Sequence, residues 1–283
     1  MLIYVLNLFK SFKGGFFMGN GLFKTDRELN DDYIEQRRYF VVEHNDLITK
    51  AKHDLTAKEL KVMDYIISKI KPNDAKFHKI FTSMYELNKV LNLNLRSGRN
   101  YNNMANTLKN MMKKVVEIYK EKEEKVVLTH WLQEIEILSN GKVEILLSDK
   151  LVPYLLQLKS SYTQYLLADT VQLDSKYSII LYKLIREADK SKGEKTPFFH
   201  ISPDELAELL GSPESYTFGQ FNQNVLQPAI DEINLKIYDM DLIVNQFKRG
   251  RRVVKLEIYN NFYPVKDYEP TEDDVPMFNW LEE

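Results

Sequence analysis

The chain has 283 residues, enough for about two domains of ordinary size, and 44% hydrophobic content gives each a core of its own. It contains no cysteine, which excludes disulfide frameworks, zinc–thiolate sites and thiol nucleophiles. The net charge of -2 conceals a segregation. Residues 88–116 hold six basic residues and no acid, residues 245–255 hold five and no acid, and Asp267, Glu269, Glu272, Asp273, Asp274, Glu282 and Glu283 gather at the C-terminal end.

Met1–Phe9 is apolar and followed by Lys10 and Lys13. That run is too short to span a bilayer and lacks a small-residue cleavage site. Residues 1–37 therefore read as a flexible segment, with Met18 an alternative start, in a cytoplasmic protein that makes no use of a membrane. From Phe40 a β-prone stretch leads to Thr56-Ala57-Lys58-Glu59, a capping-box pattern. Behind it Leu60, Met63, Ile66, Ile67 and Ile70 recur at helical spacing. A second helix is expected from Met84 to Leu91, opened by Ser83-x-x-Glu86, and a third from Asn100 to Lys114. Strands are expected over 115–119, 126–138 and 143–147, with Asn140-Gly141 forming a type I′ hairpin turn. Residues 148–159 read as a short joining helix.

The order then repeats. An offset of 118 lays Leu55 on Leu173, Met63 on Leu181, Ile66 on Leu184 and Ile67 on Ile185. A loop is expected over 190–195, a strand over 198–201, and a helix from Pro203 to Leu210 opened by Ser202-x-x-Glu205. The third helix of this copy runs from Phe218 to Asn234, and Pro228 is expected to kink or split it. A hairpin follows, with Lys248-Arg249-Gly250-Arg251-Arg252 at its tip.

Three helices and a β-hairpin is the order of a winged helix, in which the third helix enters the DNA major groove and the hairpin lies along the backbone. The expected fold class is α+β: two tandem winged-helix domains related by internal duplication, over 38–160 and 161–264, with an acidic tail over 265–283. Candidate DNA-binding residues in the first copy are Arg96, Ser97, Arg99, Asn100, Asn102, Asn103, Asn106, Lys109 and Lys113. In the second they are Gln220, Asn222, Gln223, Asn224 and Gln227 on the helix and Lys248, Arg249, Arg251 and Arg252 in the wing. Amides pair with adenine through two hydrogen bonds, while Lys and Arg suit phosphates. The alternative source of the Asn-rich helix is a composition biased toward Lys, Ile, Tyr and Asn. The five histidines (His44, His53, His78, His130, His200) are scattered, with no His-x-His pair and no phosphate-binding loop, so no enzyme, cofactor or metal is assigned.

Longer strings then carry a resemblance. They are Val41-Val42-Glu43-His44-Asn45-Asp46-Leu47-Ile48 with Leu55-Thr56-Ala57-Lys58-Glu59-Leu60, Leu173-Asp174-Ser175-Lys176-Tyr177-Ser178, and Val225-Leu226-Gln227-Pro228-Ala229-Ile230-Asp231-Glu232-Ile233-Asn234. Together they resemble the iteron-binding plasmid replication initiators over roughly residues 40–260. The resemblance implies a protein that binds direct repeats (iterons) in double-stranded DNA at a plasmid origin. It would help open the origin, recruit the host initiator and replicative helicase, and repress its own promoter. It implies a monomer–dimer equilibrium with the first domain as dimer contact, and Phe218–Gln227 as the main base reader. Two other readings stay open: a winged-helix transcriptional regulator with no origin, and an origin-nicking enzyme.

Overall fold

The computed structural model describes residues 39–91, 98–120, 123–188 and 199–262. The flexible segment expected over 1–37, the loop over 190–195 and the acidic tail over 265–283 lie outside them. The first unit runs β1 (Phe40–His44), α1 (Asn45–Thr49), β2 (Ala51–Lys52), α2 (Ala57–Ser68), β3 (Ile80–Ser83), α3 (Met84–Val90) and α4 (Gly98–Met111). It continues with β4 (Val115–Lys120), β5 (Lys125–His130), β6 (Leu132–Ile137), β7 (Lys142–Leu147), the short α5 (Val152–Leu155), β8 (Tyr162–Leu166) and α6 (Leu167–Gln172). The second unit runs α7 (Lys176–Ala188), β9 (Phe199–Ile201), α8 (Pro203–Leu209), α9 (Phe218–Phe221), a π turn (Asn222–Leu226), α10 (Gln227–Lys236), β10 (Leu242–Arg249) and β11 (Arg252–Asn260).

The duplication is clearest in the sheets. β3-β7-β6 in the first unit and β9-β11-β10 in the second share one antiparallel order, with the strand before the second helix paired to the last strand of the wing. Residues 126–138 are not one strand, as expected, but two. Trp131, buried between them, is the break: β5 pairs with β4 in a sheet with β2, while β6 pairs with β7. The wing of the first unit is thus β6–β7, and β4–β5 is an inserted hairpin with no counterpart among the described residues of the second unit. The joining helix expected over 148–159 is a 3-10 turn (Asp149–Leu151) followed by the single turn of α5.

Local chemistry explains the other departures. At α2 the capping box is complete, with Thr56 N–H donating to Glu59 Oε2 (2.8 Å) and Glu59 N–H to Thr56 Oγ1 (3.3 Å). Such caps contribute about 1 kcal/mol. At α3 and α8 only half of the expected box forms: Ser83 and Ser202 accept the N–H of Glu86 and Glu205. Glu86 is diverted to the Tyr65 hydroxyl (2.7 Å) and Lys69 (3.2 Å). Asn140-Gly141 does not make a type I′ turn, which needs positive φ at both residues. Only Gly141 has it (φ 81°), and Leu138 N–H bonds Lys142 O (2.9 Å), closing a three-residue loop with glycine at the left-handed position. Pro228 does not split its helix. The π turn before it lets Gln227 N–H reach Asn222 O, and the chain stays helical from Phe218 to Lys236. The buried residues Phe221, Val225, Ala229 and Ile233 recur every four positions, longer than 3.6, and the wide turn keeps them on the core.

β8 and α6, beyond the boundary expected at 160 and 161, pack with the first unit, β8 pairing with β1 and α6 lying on α2. The helix α7 then touches both units, with α1, α2 and β8 on one side and α10 on the other. Lys183 of α7 is buried there against Asp64 Oδ1 (2.6 Å) and Glu43 Oε1 (3.3 Å), and the Tyr165 hydroxyl donates to Glu43 (2.6 Å). Burial pulls the Lys183 pKa down, but the two carboxylates outweigh it and hold it above the ordinary lysine value.

A cavity of about 30 Å³ adjoins this cluster, and His53 lines it with its ring edge against Trp131. Burial first, then the Lys183 charge, lowers the His53 pKa to about 4, against a small opposing pull from Asp54. The unfolded chain therefore takes up a proton near pH 6.5 that the native state refuses until about pH 4, and stability falls as pH drops through that window. From pH 7 to 5 this costs at most about 2 kcal/mol, the partial exposure of the ring making that an upper figure. Urea unfolding at the two pH values should show a smaller loss in His53→Gln than in the wild type; equal losses would remove His53 as the cause.

Candidate nucleic-acid interface

The third helix of the second unit turns Phe221, Val225 and Leu226 inward and leaves an amide-rich face outward. Its five amides are not equivalent. Gln220 Oε1 accepts from Thr217 N–H (2.9 Å) and Oγ1 (3.1 Å), completing a capping box that starts the helix. Gln227 Nε2 donates to Asp231 Oδ1 (2.8 Å), one turn on. Asn222 is half-buried, and its Oδ1 receives a long contact (3.5 Å) from Gln246 of β10. Gln223 and Asn224 are exposed and have no hydrogen-bond partner among the described residues. Both stand on the π turn, where the helix is widest.

The wing beside it is an antiparallel hairpin whose register closes at Arg249 and Arg252, with Gly250 and Arg251 as the turn. Gly250 has φ 62° and Arg251 does not have positive φ, the pattern of a type II′ turn, and a Cβ on Gly250 would meet nothing within 4 Å. A bulge between Phe247 and Lys248 offsets the tip from the rest of the ladder. Lys248, Arg249 and Arg251 are exposed and have no counter-charge among the described residues. Arg252 faces Asp204 of α8 across an exposed pair (3.0 Å). Lys255 is neutralised, with Nζ 2.6 Å from Glu257 and 5.0 Å from the Phe247 ring centre. Lys255 and then Tyr259 hold the Glu257 carboxyl below its usual pKa. The five cations legible in the sequence thus resolve into three open ones and two with carboxylate neighbours.

In the first unit α4 buries Met104, Leu108 and Met111 completely. Asn102, Asn103, Asn106, Lys109 and Lys113 are exposed, and Asn100 is half-covered. Lys114 is taken by Asp54 (2.6 Å). Arg96 and Ser97 lie outside the described residues, and the side chain of Arg99 does too. The wing turn meets the helix here, since Gly141 stands 3.8 Å, measured from an added Cβ, from the Tyr101 ring.

Among the described residues no helix is long and apolar enough to cross a membrane, and no three His, Cys, Asp or Glu side chains cluster as a metal site. Sequence reasoning missed two features of this site. One is the Thr217-x-x-Gln220 cap, readable from the same pattern as Thr56-x-x-Glu59. The other is the part played by α7, whose Lys183 meets carboxylates more than 100 positions away and leaves no local pattern.

Comparison with known proteins agrees with this fold. The model described as "Initiator Replication protein, WH1" matches residues 40–186, and "Initiator Rep protein, WH2" matches residues 202–260. A replication initiation protein of Escherichia coli is 28% identical over 205 residues, covering 71% of this chain and 63% of the relative. The PI protein of Escherichia coli is 31% identical over 161 residues, covering 50% of this chain and 51% of the relative. The chain thus spans between about half and two thirds of the length of these curated relatives. In a crystal structure of the Pi initiator protein in complex with iteron DNA, the protein overlays on 78% of this chain and 96% of its own. The TM-score is 0.63 at 19% identity, a likeness of fold. Two winged helices in tandem, matched in order over more than half of the sequence, make this chain a member of the initiator replication protein family.

Proposed function

We propose that the chain is a plasmid replication initiator that binds direct repeats in double-stranded DNA at its origin. On this reading it acts without catalysing a reaction, in the cytoplasm. It promotes opening of the origin, recruits the host initiator and replicative helicase, and represses its own promoter. The second unit reads sequence, while the first, over about residues 38–160, divides its surface between the DNA backbone and a second copy. The observation that carries the reading is the pairing, in the second unit, of unengaged amides at Gln223 and Asn224 with an open cationic wing tip, inside an initiator family fold. The Pi initiator, which shares this fold, is held on iteron DNA in its crystal structure. Footprinting on the repeats beside the gene tests it: protected repeats at moderate salt are expected, and their absence would sink it.

The two parts of the interface should separate experimentally. Replacing Lys248, Arg249 and Arg251 with Ala should weaken binding to every sequence and reduce the log–log salt slope by up to about 2.7, at about 0.9 per phosphate contact. Replacing Gln223 and Asn224 with Ala should leave that slope alone and lose about 1–3 kcal/mol of discrimination at the bases each one reads. Competition binding on single-base variants of the repeat, at three salt concentrations, measures both. A slope change from the amide variant would reverse the assignment.

Self-association has its own support. β5 is the edge of its three-stranded sheet and exposes Val126 (51%) and Leu128 (64%). An apolar open edge of this kind pairs readily with a second copy. Val126→Lys with Leu128→Glu should shift solution mass toward monomer without lowering thermal stability by more than a few degrees. An unchanged mass distribution would move the dimer contact elsewhere.

A further inference from the structure

The face between the two units has an apolar centre with one cation in it. Lys183 extends from α7, the helix that joins the two units, and meets Asp64 of α2 and Glu43 of β1 in the first. Tyr165 of β8 closes the cluster, with its hydroxyl 2.6 Å from Glu43 and 3.2 Å from Asp64. On its other side α7 is tied to the second unit. Arg186 forms a two-pronged pair with Asp239 (2.7 and 2.6 Å). Glu232 of α10 accepts from the backbone N–H of Asp174 (2.6 Å) and Ser175 (3.2 Å) and from the Ser178 hydroxyl (2.5 Å). Arg186 and Tyr182 also reach Asp169 of α6 in the first unit. Further links between the units are Asn45 with Glu187, both half-buried, and Lys52 with Glu208, Lys61 with Asp174 and Lys236 with Gln172 O, each of these three with at least one partner open to solvent.

The hydrophobic effect is non-directional, whereas a buried ammonium must keep its carboxylates within hydrogen-bond reach. A small turn of α7 against α2 leaves Lys183 or Asp64 buried without its partner. This cluster therefore constrains how α7 sits on the first unit. On DNA, orientation is spacing: each base pair adds about 3.4 Å and about one tenth of a helical turn between two contacted segments.

We propose that Lys183 is a positioning residue for DNA recognition, which through Asp64 and Glu43 fixes the angle between the winged-helix units and so selects the spacing of the two DNA segments they contact. This rests on the DNA-binding reading of both units. The experiment uses the full chain and the DNA fragment protected in the footprint, with one or two base pairs inserted or deleted between the segments contacted by each unit. The variant combines Lys183→Met, Asp64→Asn and Glu43→Gln, which removes the charges together and keeps the volume. The wild type should lose tenfold or more in affinity on a two-base-pair insertion and the variant less than threefold, with equal affinity for either segment alone. A variant that keeps the wild-type spacing profile overturns the proposal. If the wild type protects no DNA, the binding reading fails instead.

A second preparation separates positioning from general loosening. The chain has no cysteine, so Asn45→Cys with Glu187→Cys introduces one thiol on each side of the contact. A short thiol–thiol cross-linker added to the triple variant should restore the tenfold spacing penalty. Failure to restore it in a chain that still folds, judged by circular dichroism, counts against a positioning role. Glu43→Gln alone, which leaves the Lys183–Asp64 pair, should show an intermediate penalty if the triple variant does not fold; a wild-type penalty there would also overturn the proposal.

Discussion

The arrangement of this protein depends on a lysine that is almost wholly buried. Lys183 is held between Asp64 and Glu43 in the centre of the contact between two winged-helix units, and its helix is also pinned to the second unit through Glu232 and Arg186. Removing one partner of such a buried pair costs about 3–5 kcal/mol, because the other charge is left uncompensated. The exposed pairs at the rim contribute about 0–1 kcal/mol each. The difference decides where orientation is specified. Rim pairs exchange with water and tolerate sliding; the central one does not. Two surfaces built from the same fold are thereby carried as one object.

Much of the duplicated fold was legible because it is written in local patterns. The spacing of Leu60, Met63, Ile66 and Ile67 and of their counterparts near Leu181 defines helices whatever lies around them. Long-range pairing was not legible in the same way. Lys183 sits in the run Ile179-Ile180-Leu181-Tyr182-Lys183-Leu184-Ile185, where a single cation among inward residues was the one visible sign of a buried partner. The partners come from α2 and β1, and no local pattern points to them. The strand expected over 126–138 failed for a similar reason. Its residues are β-prone throughout, and only the tertiary positions of β2 and β7 divide it between two sheets at Trp131.

The amide face illustrates how local hydrogen bonding edits a candidate site. Five amides in eight residues look equivalent on a helical projection. Gln220 serves the start of its own helix, and Gln227 bonds one turn ahead to Asp231, so neither is open without breaking an interaction already made. A DNA base must compete with those bonds, and the net gain of an exchanged hydrogen bond is about 1 kcal/mol. Gln223 and Asn224 face no such competition from the described residues. The proline that was expected to interrupt this helix instead coincides with the wide turn that presents them. The missing N–H of Pro228 and the period of four in the buried residues favour the same local geometry.

The two copies share a fold and differ in where charge is left uncompensated. In the first unit Lys109 is open on the helix and Lys113 just beyond its end, while Lys114 is drawn off to Asp54. In the second the helix face is neutral and Lys248, Arg249 and Arg251 are open at the wing tip. The inserted β4–β5 hairpin follows α4 directly in the first unit, and its sheet ends in an apolar edge at β5. On the proposed reading the first unit both meets a second copy and approaches a phosphate backbone, and cations on α4 rather than in the wing separate the two uses. The second unit carries no such insertion among its described residues, and on the proposed reading its wing holds phosphates while uncharged amides face the groove. Uncharged readers gain little from a mismatched base, because phosphate attraction is supplied elsewhere. On the proposed reading, divergence after duplication follows a physical division, with affinity in the wing, selectivity on the helix, and their geometry fixed at α7.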